Sequence, residues 1–313
     1  MSSIASNDSQ SMVSAAGWNA LPAEYAIPSK APSLSEAQEY CRKLARSHYE
    51  NFSVATWFLP QHLRQHFCNV YAYCRISDDL GDEVGNPEAS LRLLDEWENE
   101  LIACYAGSPR HPVFVALAET VVKFDIPKKP FADLLTAFRQ DQTTTRYATF
   151  DDLLGYCLNS ANPVGRLVLY VCGYRDPERQ ELSDFTCTAL QLANFWQDVS
   201  VDFTKGRLYL PVEDLRSYGV SESDIAEGRN TKEFCRMMQF EVQRAREWFD
   251  RGLPLASRVD RELAIDIELF SRGGQEILNA IERQNFNVLG CRPAISKSRK
   301  LALVARAALG KLL

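Results

Sequence analysis

Asp78 and Asp82 stand four residues apart in the stretch YAYCRISDDLGDE, residues 71–83. Four residues turn an α-helix by about 400°, so the two carboxylates share one helix face, one turn apart. Like charges so placed repel, and a helix keeps them only where solvent screens them or a cation sits between them. Asp79 and Glu83 stand beside the pair. A second stretch, NFWQDVSVD, residues 194–202, repeats the spacing with Asp198 and Asp202 about 120 residues downstream. Two D-x-x-x-D helices in one all-helical protein suggest facing carboxylate walls with divalent metal between them.

Mg²⁺ prefers carboxylate oxygens, water and substrate phosphate. Held on such walls, it would neutralise a diphosphate and make it a better leaving group. Arg75 lies one turn before Asp79, and Lys205 and Arg207 follow the second cluster. Cations at these edges suit a diphosphate, whose charge neither metal nor arginine alone would cover. Loss of diphosphate from an allylic or cyclopropylcarbinyl carbon leaves a carbocation, which needs a dry cavity and aromatic faces. Phe52, Phe67, Tyr71, Tyr73, Phe195 and Trp196 are the aromatic candidates to line one. Each motif has a plainer reading. A single D-x-x-x-D face is usually solvated, and single aromatic residues, Tyr156 included, usually belong to a core. His62 and His66 have the spacing of a zinc pair but no third ligand, so they read as exposed helix residues.

These groups must be positioned by helices. Apolar residues recur at helical spacing along most of the chain, no alternating-strand run of useful length occurs, and the expected class is all-α. Ser33 and Glu36 open a helix that runs to about His48, and Leu59-Pro60 opens the next, which carries the first acid cluster. Further helices are expected over 91–101, 113–124, 131–141, from 150 with a bend near Asn162, and over 182–202, 234–249, 263–278 and 296–313, with an extended segment at 208–211. Residues 1–33, rich in Ser, Ala and Pro, read as a flexible leader, and 34–290 as one catalytic-sized domain. The segment 291–313 reads as a basic amphipathic helix. No acid follows Glu282, and the tail alternates Arg and Lys with Leu, a pattern suited to an anionic membrane surface or to packing on the bundle.

The net charge of -6 excludes general nucleic-acid affinity. No export signal is expected, and no apolar run reaches spanning length. Its nine cysteines show no paired spacing and are expected as free thiols. The expected location is cytoplasmic, with peripheral contact at the inner face of a membrane.

Three blocks carry a resemblance: YAYCRISDDLGDE (71–83), YCLNSANPVGRLVL (156–169) and LQLANFWQDVSVDFTKGRLYLP (190–211). In this order they resemble the squalene and phytoene synthase family over about residues 36–290. The resemblance implies a single-domain isoprenoid-synthase helical bundle with a central cavity, Mg²⁺ and prenyl diphosphate substrates. By position it implies metal binding by Asp78, Asp79, Asp82, Asp198 and Asp202. It assigns Arg75, Asn194, Lys205 and Arg207 to substrate binding, and Tyr156 to the carbocation chemistry.

Two details are similar to the bacterial hydroxysqualene synthase branch of hopanoid and squalene biosynthesis. The first is Ser47-His48-Tyr49-Glu50-Asn51-Phe52, with an acid and an amide where condensing members carry a basic-Ser pair. The second is Asn162 before Pro163-Val164-Gly165. That branch takes presqualene diphosphate, ionises it and quenches the rearranged cation with water, so no NADPH is expected. Phe52 and Asn162 are then substrate-binding candidates, and His48, Glu50 and Asn51 candidates for holding the water. Other enzymes of the squalene pathway are expected partners. The alternatives are a condensing prenyltransferase that makes presqualene diphosphate, squalene or phytoene, and a non-catalytic helical assembly factor. The sequence yields one direct prediction. Glu50→Ala and Asn51→Ala should lose alcohol product while still releasing diphosphate; full alcohol yield from both variants would remove these residues from water positioning.

Overall fold

The computed structural model describes residues 21–47 and 60–312. Among these residues the regular structure is helical, with one isolated parallel bridge between Arg146 and Leu208. The all-α expectation holds. His48, Glu50, Asn51 and Phe52 lie outside the described residues. The described chain divides into two compact units, one within Met1–Thr143 together with Tyr170–Gly173, the other within Thr144–Leu169 and Tyr174–Leu313.

The first unit contains α1 (Leu34–Ser47), α2 (Arg64–Asp82), α3 (Pro87–Tyr105), α4 (Pro112–Phe124) and α5 (Lys129–Gln140). Their starts follow from local chemistry. Ser33 and Glu36 cap α1 reciprocally, the Ser33 amide donating to Glu36 at 2.8 Å. Asn86 accepts from the Ala89 amide at 2.9 Å, with Pro87 in the first turn of α3. α2 starts later than Pro60 suggests, because 61–63 form a separate turn closed by Leu63 N–H to Pro60 O at 3.0 Å.

Two further expectations need correction. Part of the leader is built into the fold: Leu21 and Tyr25 are buried, Tyr25 on a 3₁₀ turn over Ala23–Tyr25. The polar composition hid these two apolar anchors. His66 is also buried, its Nδ1 3.0 Å from Thr120 Oγ1 and its Nε2 3.0 Å from Lys123 Nζ. Burial first, and the lysine second, push its imidazole below the usual histidine range. It is a core polar group, while His62 is exposed.

The second unit contains α6 (Phe150–Ser160), α7 (Asn162–Val171, whose last two residues group with the first unit), α8 (Pro177–Thr204), α9 (Val212–Tyr218), α10 (Glu222–Ala226), α11 (Lys232–Gly252), α12 (Arg261–Arg283) and α13 (Lys297–Leu312). The expected bend near Asn162 is a break between α6 and α7. The short helices α9 and α10 have too few turns to show a period, which is why the pattern missed them. Arg244 ties α9 to α11, donating to Asp214 at 2.8 Å beside the fully buried Glu241. Burial holds the Glu241 carboxyl well above the usual carboxylate range. The tail helix α13 packs on α12, where Arg299 approaches Glu276 at 3.4 Å. All nine cysteines are free thiols. No helix among the described residues is long and apolar enough to cross a membrane.

α8 is the long helix on which α11 and α12 rest, and glycines allow the approach. At Gly252 an added Cβ would overlap Thr186 Oγ1 and sit 3.0 Å from the Thr186 backbone nitrogen. The exposed Gly155, inside α6, has nothing within 4 Å of that position. Gly252→Ala should therefore cost about 1–3 kcal/mol of unfolding free energy. Gly155→Ala should add about 0.5–1 kcal/mol. Denaturant titration of both variants checks this, and equal midpoints would contradict the close approach of α11 to α8.

Candidate functional site

The first acid cluster sits at the end of α2, and the rings behind it fix that end. Tyr73, Trp97, Phe114 and Phe131 are fully buried, and Tyr73 meets Phe131 edge-on with centroids 4.9 Å apart. Trp97 Nε1 donates to Ser77 Oγ at 2.9 Å, and Ser77 Oγ donates to Tyr73 O at 2.7 Å. Ser77 immediately precedes Asp78, so the core holds the backbone of the motif. Gln142 Nε2 donates to Gly81 O at 2.9 Å, just before Asp82.

On this rigid end the motif residues separate by face. Asp82 is exposed, and the Asp78 side chain keeps 48% of its surface. Loss of water first, and the Asp82 charge second, push the Asp78 carboxyl up to about 6. Asp79 is buried, and its Oδ2 accepts from Tyr25 Oη at 2.8 Å and from Arg75 Nε at 3.1 Å. Arg75 Nη2 donates to Asp79 Oδ1. Arg75 Nη1 lies 3.6 Å from Asp78 Oδ2. Asp78, Asp79, Asp82 and Arg75 are thus brought together as expected, and Tyr25 joins them.

The second cluster sits near the end of α8. Trp196 Nε1 donates to Glu241 O at 3.1 Å, which locks that turn of the helix against α11. Asp198 is half-buried and Asn194, one turn earlier, is exposed. Both Asp198 oxygens are taken by Arg292: Nε donates to Oδ1, and Nη2 to Oδ2 at 2.9 Å. Gln197 Nε2 donates to Pro293 O at 2.6 Å and holds the same segment in place. The bond to Asp198 raises the Arg292 guanidinium above its ordinary range, and the Asp202 charge adds to it. Gly206, at φ +82°, turns the chain out of α8, and the amides of Lys205 and Arg207 donate to Asp202 O at 3.0 and 2.9 Å.

The segment after this turn is extended, as expected, and pairs with residues 145–148. Leu208 N–H donates to Thr145 O and Val212 N–H to Tyr147 O, each at 2.9 Å. The pairing gathers four rings. Phe195 stacks on Tyr209 with centroids 3.8 Å apart, and Tyr156 lies 6.2 Å from Phe195, 5.9 Å from Tyr209 and 5.6 Å from Tyr147. Asn162 is buried and accepts from Thr188 Oγ1 at 3.0 Å, a bond that joins α7 to α8.

Of the other aromatic candidates, Tyr73 and Trp196 are fully buried core residues, bonded as described above, and not cavity walls. Phe67 is buried and Tyr71 half-buried. Three residues of these clusters escape a reading by motif. Tyr25 lies in a segment of leader composition, and Tyr147 in a polar connection. Arg292 looks like one more basic tail residue. Tyr209 was legible, since it sits inside the G-R-x-Y-L-P run.

Among the described residues no three metal-capable side chains converge. Each cluster instead offers carboxylates in pairs, the donor set suited to Mg²⁺, which keeps water and substrate phosphate in its remaining positions. The observed electrostatics fit such an ion. Loss of water and the Asp82 charge both disfavour the Asp78 carboxylate, which a divalent cation would offset, and the Arg292 guanidinium stands against Asp198 where a cation would.

The squalene/phytoene synthase family pattern matches residues 45–299. The crystal structure of squalene synthase HpnC from Alicyclobacillus acidocaldarius superposes with a TM-score of 0.79 at 45% identity, covering 87% of this chain and 99% of that one. A dehydrosqualene synthase in complex with ligand gives a TM-score of 0.79 at 26% identity, covering 88% and 96%. The 15-cis-phytoene synthase of Synechococcus elongatus is 33% identical over 299 residues, 88% of this chain and 94% of that protein. With its helical isoprenoid-synthase fold and its three sequence blocks, the chain belongs to the squalene/phytoene synthase family.

Proposed function

We propose that the chain is a hydroxysqualene synthase: it ionises presqualene diphosphate, allows the cation to rearrange and adds water to give hydroxysqualene and diphosphate. The identity of 45% with squalene synthase HpnC, against 33% with the cyanobacterial phytoene synthase, supports the squalene side of the family, and the observation that carries the hydroxysqualene reading is the Glu50-Asn51 stretch. The Glu50-Asn51 stretch gives the choice of water over hydride. A basic-Ser pair suits a second anionic diphosphate, while an acid and an amide suit a water.

The roles follow from the side chains. Asp78 and Asp82 on α2, and Asp198 and Asp202 on α8, would hold Mg²⁺, which supplies Lewis-acid neutralisation of the leaving diphosphate. Arg75, Lys205 and Arg207 bind diphosphate oxygens, and Asn194 assists beside Asp198. The C–O bond breaks with its electron pair going to diphosphate. Tyr156, with Phe195, Tyr147 and Tyr209, offers π faces to the cation and excludes water from all but the end point of rearrangement. Water then forms the new C–O bond and loses a proton.

Purified protein with Mg²⁺ and without NADPH should convert presqualene diphosphate to a thirty-carbon alcohol. It should leave farnesyl diphosphate untouched. Product chromatography of the two reactions decides. Presqualene diphosphate formed from farnesyl diphosphate would make the chain a condensing enzyme, and no turnover of either substrate would favour the non-catalytic alternative.

A further inference from the structure

The middle acid of the first motif has a different task from its neighbours, and the leader shares it. On α2, Asp78 and Asp82 lie about 40° apart around the helix axis, whereas Asp79 is turned about 100° from Asp78. Asp79 is 5% exposed and both its oxygens are engaged by donors of the protein. Oδ2 takes Tyr25 Oη at 2.8 Å and Arg75 Nε at 3.1 Å, and Oδ1 takes Arg75 Nη2. A two-point carboxylate–guanidinium contact fixes the plane of the arginine as well as its position. The Nη1 corner of Arg75 is left 3.6 Å from Asp78, at the edge of the exposed carboxylate pair.

Tyr25 completes this clamp from 54 residues upstream. Its ring is 3% exposed and its hydroxyl is spent on Asp79. A charge-assisted hydroxyl bond at that point holds the carboxylate against rotation about χ2, and so holds the guanidinium plane.

We infer that Tyr25 is a positioning residue of the diphosphate site: its hydroxyl fixes Asp79, Asp79 fixes Arg75, and Arg75 meets the diphosphate. Asp79 then serves as an anchor and not as a metal ligand. This rests on the proposed role of Arg75 in diphosphate binding. It makes residues 21–25, a segment of leader composition, part of the binding machinery.

The test uses the full chain and inorganic pyrophosphate with Mg²⁺, followed by calorimetry. Tyr25→Phe keeps the ring and removes only the donor. It should weaken pyrophosphate about three- to tenfold. Its affinity for Mn²⁺ alone should stay within about twofold of wild type, since Asp78 and Asp82 are untouched. Tyr105→Phe is the control. It removes another tyrosine bond of the same unit, Tyr105 Oη to Ile126 O at 2.9 Å, and should leave pyrophosphate affinity unchanged. Wild-type pyrophosphate affinity in Tyr25→Phe overturns the inference. So does equal weakening by Tyr105→Phe, which would mark a general structural effect. Parallel loss of Mn²⁺ and pyrophosphate in Tyr25→Phe also overturns it, because Asp79 would then be a ligand. If wild-type protein binds no pyrophosphate with Mg²⁺, the diphosphate reading itself fails and the inference fails with it.

Discussion

Like charge on one helix face is the constraint on which the rest depends. Loss of water around Asp78 raises the cost of ionising it, and the Asp82 charge adds to that cost. A fold keeps such a pair by leaving it to solvent or by supplying counter-charge. Here the protein supplies part of it from its own chain. Arg75 is bound to Asp79 beside Asp78, and Arg292 is bound to Asp198 on α8. Both arginines are cations set against carboxylates whose spacing suits divalent metal and diphosphate. The neighbouring architecture follows from the need to hold these charges still. Trp97 and Tyr73 pin the turn before Asp78, and the bond of Trp196 to α11 pins the turn before Asp198.

The aromatic cluster around Tyr156 is assembled by backbone pairing more than by helix packing. Residues 145–148 and 208–212 are joined by a few main-chain bonds. Those bonds bring Tyr147 and Tyr209 to Tyr156 and Phe195, which reside on helices. Aromatic faces stabilise positive charge without a lone pair that could trap it, a property useful when a cation must rearrange before water reaches it. The charged clusters and the aromatic cluster thus rest on different forces: the former on ion pairing, the latter on apolar packing.

Much of this was legible because it is local. The i,i+4 acid pairs, the cap at Ser33, and the G-R-x-Y-L-P run each fit within a few turns of chain, and the all-α class follows from the period of apolar residues. What was not legible depends on distance in sequence. Tyr25 reaches Asp79 across 54 residues and Arg292 reaches Asp198 across 94, and no spacing rule links such partners. His66 looked exposed because its burial is decided by Thr120 and Lys123 on another helix. Tyr73 and Trp196 looked like cavity walls because a sequence reports that a ring is apolar, not which way it points. Asn162 stands in the block that suggested a substrate contact, yet its carbonyl is bonded to Thr188 between two helices.

The central claim is that carbon–oxygen cleavage precedes capture of the cation by water. The most direct measurement is turnover of presqualene diphosphate in oxygen-18 water, with mass spectrometry of both products. The account predicts one labelled oxygen in a rearranged thirty-carbon alcohol and none in the diphosphate released. Label in the phosphate product, with an unlabelled and unrearranged alcohol, would mean cleavage at phosphorus and would contradict it.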